Sequence, residues 1–448
     1  MTTATAEVNS GVPGVDTREA DVRGVDVRGV NTSTADTPLR AHTVLLIGIA
    51  ALCATGWGIE SAWPWHLRAV LCPVAALSVA LAVSSQQWRT HLSVEPLLIL
   101  VLVALPASAW VAGADENARR VSLAVVGATV ACTLVASVVP GGQLLRGIAA
   151  VLGVVVVAVL VHAALDPRAA YAPAPGEPES LGLRSFFWQK NSLGLTLALA
   201  AAVSVVIERT ATRWALRGLI VVALLLSRSS TALVATVAVL VVQQLLVQIA
   251  SGRRAGRHGA TFLVITTGVA LVAVVLGLRG RLLGVLGKGS DLTGRDEIWA
   301  GTWAAAQDRL LFGHGFGVFW SVDSPQRAAL RRLVGWNVAG PHQGVLEVIT
   351  ELGLFGLVLF VALVMVVGAR LAGRVMDGSV TRSHLAGAGL LLAVIVSSVS
   401  EATLVVPGLP IIGLVSGMLL NEHLVATTRH GTPHATSHGT SHGTADMR

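Results

Sequence analysis

Apolar blocks about as long as a bilayer is thick recur along this chain, and they settle its fold class before any motif is read. Residues 147–165, GIAAVLGVVVVAVLVHAAL, contain no Asp, Glu, Lys or Arg. A run of roughly 20 such residues is the length an α-helix needs to cross the roughly 30 Å hydrocarbon core of a membrane. Over the 448 residues 53% are hydrophobic and only 13% charged, so the division into soluble domains that length alone suggests does not apply. The alternating polarity that a β-barrel requires is absent. The expected fold is therefore all-α, a polytopic helical membrane protein. Its spans are drawn at 42–59, 66–85, 94–112, 119–139, 147–165, 191–207, 215–227, 231–249, 261–278, 346–369, 384–400 and 403–420. These make about twelve transmembrane helices.

The ends and connections read differently. Residues 1–40, with the repetitive GVDTREADVRGVDVRGV, are too poor in large apolar groups to fold alone and are expected to form a disordered tail. That polar stretch precedes the first apolar block, so no cleavable signal peptide is expected. The multispanning domain covers 41–420, and a disordered tail, 421–448, follows it. In that tail His430, His434, His438 and His442 recur every fourth residue; low complexity is the simpler account than metal binding. The basic balance of +7 is carried almost entirely by Arg, with Lys only at 190 and 288. The arginines are dispersed between spans, which argues against a nucleic-acid partner. Arg89, Arg146, Arg209, Arg213, Arg217, Arg253, Arg254, Arg257, Arg370, Arg374 and Arg382 fall in alternate connections, whereas Asp115 and Glu116 fall in an intervening one. The positive-inside rule then places both termini in the cytoplasm, with the Pro-rich loop 166–190 and the long loop 279–341 outside the cytoplasmic membrane. The long loop lies between the ninth and tenth spans. Cys53, Cys72 and Cys132 lie within spans without CxxC spacing and read as small buried residues.

Polar residues at the outer end of such a chain are candidates for chemistry. Thr293-Gly-Arg-Asp296 fits a capping box that starts a helix carrying Trp299 and Trp303 on one face, suited to the membrane interface. Arg295 would project at that helix start, where unpaired N–H groups favour an anion and a guanidinium adds bidentate contacts to phosphate. An interfacial Arg meeting lipid headgroups fits equally well. Gly313, Gly315 and Gly317 follow no strand, so a nucleotide loop is a weak reading, and His314 reads as a loop histidine before a second base. Pro341 stops the chain and His342 is expected to begin a helix entering the bilayer. A helix N-terminus disfavours the imidazolium, so His342 is expected to be neutral and suited to act as a general base. Glu347 and Glu351, four apart, share a face that either lines a wet cleft or is the polar side of a helix beginning outside the membrane. Arg228, in LLLSRSSTALVA, lies between two spans, where an arginine is costly unless it meets an anion. Lys190 and Asn191, in FFWQKNSLG, stand where the Pro-rich loop re-enters the membrane; a snorkelling Lys beside Trp188 is the simpler account.

Together these motifs resemble the O-antigen ligase and O-antigen polymerase superfamily of multispanning glycosyltransferases. The most specific is His342-Gln343, nine residues, Gly353, two residues, Gly356; GRxxxW at Arg295, SRS at Arg228 and KNxLG at Lys190 occur in the family's order. The likeness is best over about 180–370; Gln343 stands where Asn is commoner, and GVLE replaces an aromatic-rich version. The resemblance implies transfer of a glycan from a polyprenyl-pyrophosphate donor to an acceptor hydroxyl on a glycan, lipid or protein, outside the cytoplasmic membrane. It implies His342 as catalytic base, and Arg228, Arg295 and Lys190 on the donor pyrophosphate, with Asn191, Asp296, Glu347 and Glu351 as supporting candidates. Inversion at the anomeric carbon without a metal or other cofactor follows from direct displacement, and no DxD or HExxH occurs on an outer segment. A repeat-unit polymerase is the alternative within the superfamily. A twelve-span transporter or an envelope-assembly scaffold is the alternative outside it, although no duplication of the first six spans in the last six is evident.

Overall fold

The structure, a computed structural model, describes residues 96–173, 182–250, 295–335, 338 and 340–430. The tail 1–40, the spans expected at 42–59, 66–85 and 261–278, Thr293 of the expected capping box, and the last histidines lie outside the described residues. Among the described residues the secondary structure is entirely helical: α1 (Pro96–Val111), α2 (Glu116–Val138), α3 (Gly141–Leu165), α4 (Lys190–Val203), α5 (Thr210–Ser227), α6 (Ser230–Ala250), α7 (Arg295–Ala306), α8 (Pro325–Val334), α9 (Gly344–Met376), α10 (Arg382–Ser398) and α11 (Gly408–His430). Five of them, α2, α3, α5, α6 and α9, are long and apolar enough to cross a membrane, while α1, α4, α10 and α11 are shorter apolar helices.

Local chemistry sets the helix ends. Asp115 caps α2 by accepting from the Ala118 N–H at 2.7 Å. Thr381 and His384 form a capping box that starts α10. The last helix runs on to His430, past the span boundary expected at 420.

Small residues bring helices together. Gly413 and Gly417, one turn apart on α11, lie against Thr129, Thr133 and Ala136 of α2. Close backbone approach of this kind stabilises association where lipid supplies no hydrophobic drive. Asn421 Nδ2 donates to Ser137 O at 2.6 Å at the end of the same contact. Gln243 of α6 is buried and its Nε2 donates to Ala202 O at 2.7 Å and Leu385 O at 3.1 Å, tying α6 to α4 and α10. At that end of the bundle Arg146 pairs with Glu208 at 2.8 Å and Arg217 Nε donates to Ser204 Oγ at 2.9 Å. At the other end lie the starts of α4, α6, α7 and α9 and the finish of α10.

Helix α9 is broken within its first third. Gly353 has φ 70 and ψ −169, a conformation open only to glycine at low cost, and a Cβ there would stand 2.3 Å from Leu311 O. The freed backbone groups are satisfied by the preceding loop. His314 N donates to Thr350 O at 2.8 Å and Gly315 N to Glu351 O at 2.9 Å, while Leu354 N donates to Leu310 O at 2.8 Å and Phe355 N to Leu311 O at 3.1 Å. The Gly-spaced FGHGFG therefore backs a helix break. His314 belongs to this packing: it is buried, its Nε2 lies 3.1 Å from Ala305 O, and it meets Phe319 edge-on at 5.3 Å.

Candidate active site

The centre of the site is Glu401, in the connection between α10 and α11, with only 5% of its surface exposed. The spans expected at 384–400 and 403–420 leave this residue in the gap between them. A buried carboxylate is costly unless donors meet it, and here three helix starts deliver them. Arg295, first residue of α7, donates from Nη2 to Glu401 Oε1 at 2.8 Å and from Nη1 to Ser400 O at 2.7 Å. Asn191, on the first turn of α4, donates from Nδ2 to Glu401 Oε1 at 2.6 Å and accepts from Ser229 Oγ at 2.9 Å. His342 Nδ1 lies 3.4 Å from Glu401 Oε2. Thr231 and Ser400 are hydrogen-bonded through their hydroxyls, closing the ring between α6 and the α10 end.

Burial pushes the Glu401 carboxyl up, but the Arg295 guanidinium and then His342 outweigh it and hold the group below the usual carboxylate range. An ionised Glu401 can accept from Nδ1 of His342 but cannot donate to it.

Some expectations from the sequence change here. Helix α9 begins at Gly344, with Gln343 as N-cap accepting from Leu346 N, so His342 precedes the helix in a turn with φ 50. The Gln at this position serves as a cap. Trp299 turns inward and its Nε1 donates to Pro341 O at 2.9 Å, fixing the residue before His342, while Trp303 remains 43% exposed. Only one of the two tryptophans therefore faces outward. Arg295 is present at the site, but its guanidinium is engaged by Glu401 and Ser400.

Arg228 stands beside the cluster, one residue before Ser229. It closes α5 in a left-handed conformation (φ 50), and its side chain is exposed. Lys190 begins α4 and packs over Gly182, whose absent side chain lets the loop reach Ser227 O and lets Leu183 N donate to Leu226 O at 2.9 Å. Lys190 and Arg228 thus flank one point on the rim. Three non-glycine residues among those described have positive φ, and two of them are Arg228 and His342. Backbone strain of about 1–3 kcal/mol per residue persists where surrounding structure demands it, characteristically at functional sites.

The remaining candidates stand apart. Asp296 is exposed on the first turn of α7. Glu351 is buried and its Oε1 accepts from Gly317 N at 3.2 Å, so it anchors the Gly-rich loop to the broken helix. Glu347 is half-buried on the first turn of α9.

Residues 215–361 match the family model described as O-antigen ligase. Over that stretch the chain is O-antigen ligase-like. The matched range includes Arg228, Arg295 and His342, whereas Lys190, Asn191 and Glu401 lie outside it. No curated protein matches the chain. The matched stretch thus sits in a chain with five helices, among those described, long and apolar enough to cross a membrane.

Proposed function

We propose that this protein is a glycosyltransferase of the membrane surface. It moves a glycan from a polyprenyl-pyrophosphate donor to an acceptor hydroxyl at the outer face of the cytoplasmic membrane, with inversion and without a metal. The observation that carries this reading is Glu401 holding His342 and Arg295 side by side at one end of the helix bundle. The opposite end carries Arg146, Arg213, Arg217 and Arg382, so the positive-inside rule sets the Glu401 end outside.

The chemistry follows from the groups present. His342 Nε2 takes the proton of the acceptor hydroxyl while that oxygen bonds to the anomeric carbon. The bond from that carbon to the pyrophosphate oxygen breaks, and polyprenyl pyrophosphate leaves with the electron pair. Glu401 stabilises the imidazolium that forms. Arg228 and Lys190, at the rim, meet the negative charge gathering on the leaving group, and Arg295 adds its field from beside the base. Pyrophosphate is a good enough leaving group to need no separate acid. When the acceptor is another lipid-linked glycan, the same steps make a polymer.

The test is purified protein in vesicles, given a polyprenyl-pyrophosphate glycan and an acceptor. Release of polyprenyl pyrophosphate, abolished by His342→Ala in a protein that still inserts, supports the reading. Substrate uptake that survives His342→Ala makes the protein a transporter instead. Chelation leaves the transfer rate unchanged; a loss restored by added divalent metal refutes the metal-free mechanism.

A further inference from the structure

At the end of the bundle away from Glu401 lie three arginines that, among the described residues, pair with no carboxylate. Arg213 and Arg217 lie on successive turns at the start of α5, and Arg382 is the first residue of α10. Arg213 is within Coulombic reach of both others. Arg213 Nη1 donates to Ile207 O at 3.3 Å and Arg217 Nε to Ser204 Oγ at 2.9 Å, both neutral acceptors. Among the described residues none of the three pairs with a carboxylate: Glu208 is taken by Arg146 and Glu422 by His384. All three are half-buried. Like charges withdrawn from water with no counter-charge repel and lose hydration at once, and an anion resting among them removes both costs.

What lies alongside indicates the rest of the ligand. Trp214 is 60% exposed, with the Arg217 guanidinium 5.3 Å above its ring. Further along α5, Val221, Val222 and Leu225 are 50%, 48% and 65% exposed. Basic residues, an exposed aromatic and an apolar helix face therefore follow one another along α5. We propose that Arg213, Arg217 and Arg382 bind the phosphate headgroup of an anionic phospholipid whose acyl chains lie along α5. This site is independent of the transfer reaction at Glu401.

Native mass spectrometry of the delipidated full-length protein in detergent, titrated with phosphatidylglycerol or phosphatidylcholine, tests it. Each basic residue near an anionic headgroup contributes enough that losing two weakens binding by about thirtyfold. The wild type retains phosphatidylglycerol preferentially, the Arg213→Gln/Arg382→Gln variant loses that preference by about thirtyfold, and Arg168→Gln at the other end leaves it unchanged. The charge-conserving Arg213→Lys/Arg382→Lys variant keeps most of it, and with the single Arg382→Gln variant it supplies the answer should the double Gln variant fail to fold. Equal retention of the two lipids by the wild type, or undiminished phosphatidylglycerol in the Gln variants, overturns the site. Displacement of bound lipid by millimolar inorganic phosphate assigns the arginines to a soluble phosphate and overturns the lipid.

Discussion

Replacing Glu401 by Gln removes one charge and one acceptor with almost no change of shape. The native carboxylate receives Arg295 Nη2 at 2.8 Å, Asn191 Nδ2 at 2.6 Å and His342 Nδ1 at 3.4 Å. A Gln offers a single carbonyl oxygen and an NH2 group, so at least one of the three donors must face another donor. The side chains of Arg295 and Glu401 are only 16% and 6% exposed, which leaves little room for water to screen the loss. A charge-assisted hydrogen bond of this kind contributes about 1.5–3 kcal/mol, and truncation to Ala, which leaves the buried guanidinium without its counter-charge and with only Ser400 O as acceptor, costs about 3–5 kcal/mol. The catalytic loss exceeds the loss of stability. Without an acceptor at Nδ1 the imidazole tautomer is no longer fixed, and Nε2 carries the proton it should remove. We expect turnover to fall by about 10³–10⁴-fold, with donor affinity held or improved because Arg295 is released toward the incoming diphosphate. The assay is single-turnover release of polyprenyl pyrophosphate, with thermal unfolding in detergent run beside it. A Glu401→Gln protein that unfolds like the wild type and turns over within a factor of ten of it refutes the assignment of Glu401 as the residue that positions His342.

Three further expectations follow from the geometry. The folded-state value of Glu401 lies below its ordinary 4.5, so its ion pair contributes fully above that value and is lost as the pH falls through the lower folded value; acid unfolding curves should show this loss in the wild type and not in Glu401→Gln. Arg228→Gln removes a rim charge that no ion pair uses among the described residues, so the donor KM should rise about tenfold with the thermal midpoint unchanged; a collapse in stability instead would give Arg228 a structural role. Gly353→Ala places a Cβ 2.3 Å from Leu311 O at φ 70 and should cost at least about 2 kcal/mol of stability, read as a lowered unfolding midpoint; an unchanged midpoint would mean that the loop does not hold the broken helix.

The apolar blocks made the helices legible because burial in lipid leaves a run of about 20 residues whatever the neighbours are. They did not fix where helices end or break. The span expected at 346–369 is part of Gly344–Met376, since Arg370 and Arg374 continue the helix past the apolar limit. Its interruption at Gly353 is marked by no proline, and only the pairing with residues 310–315 reveals it. The span expected at 215–227 belongs to a helix from Thr210, whose first turns hold Arg213 and Arg217. Hydropathy leaves Arg213 outside the span. At the site, Arg228, Lys190 and Asn191 were legible because they interrupt apolar surroundings, and Arg295 and His342 because each was expected at a helix start. Their grouping was not, because residues 191, 229, 295, 342 and 401 come together only when distant helices pack.

Glu401 itself explains why the motifs alone gave an incomplete picture. An acid at the junction of two apolar helices reads as punctuation, the place where one span stops and another starts. Folding makes it the acceptor on which Arg295, Asn191 and His342 all depend, at 5% exposure. A well-packed hydrophobe at such a position is often as stable as a buried ion pair or more so, and packing alone supplies no reason for His342 and Arg228 to hold left-handed backbone beside it. Stability does not ask for this arrangement, and the proposed transfer does: a charge fixed in a dry setting would orient the imidazole before any acceptor arrives, and the neighbouring guanidinium would keep that charge in place as the proposed base takes up its proton.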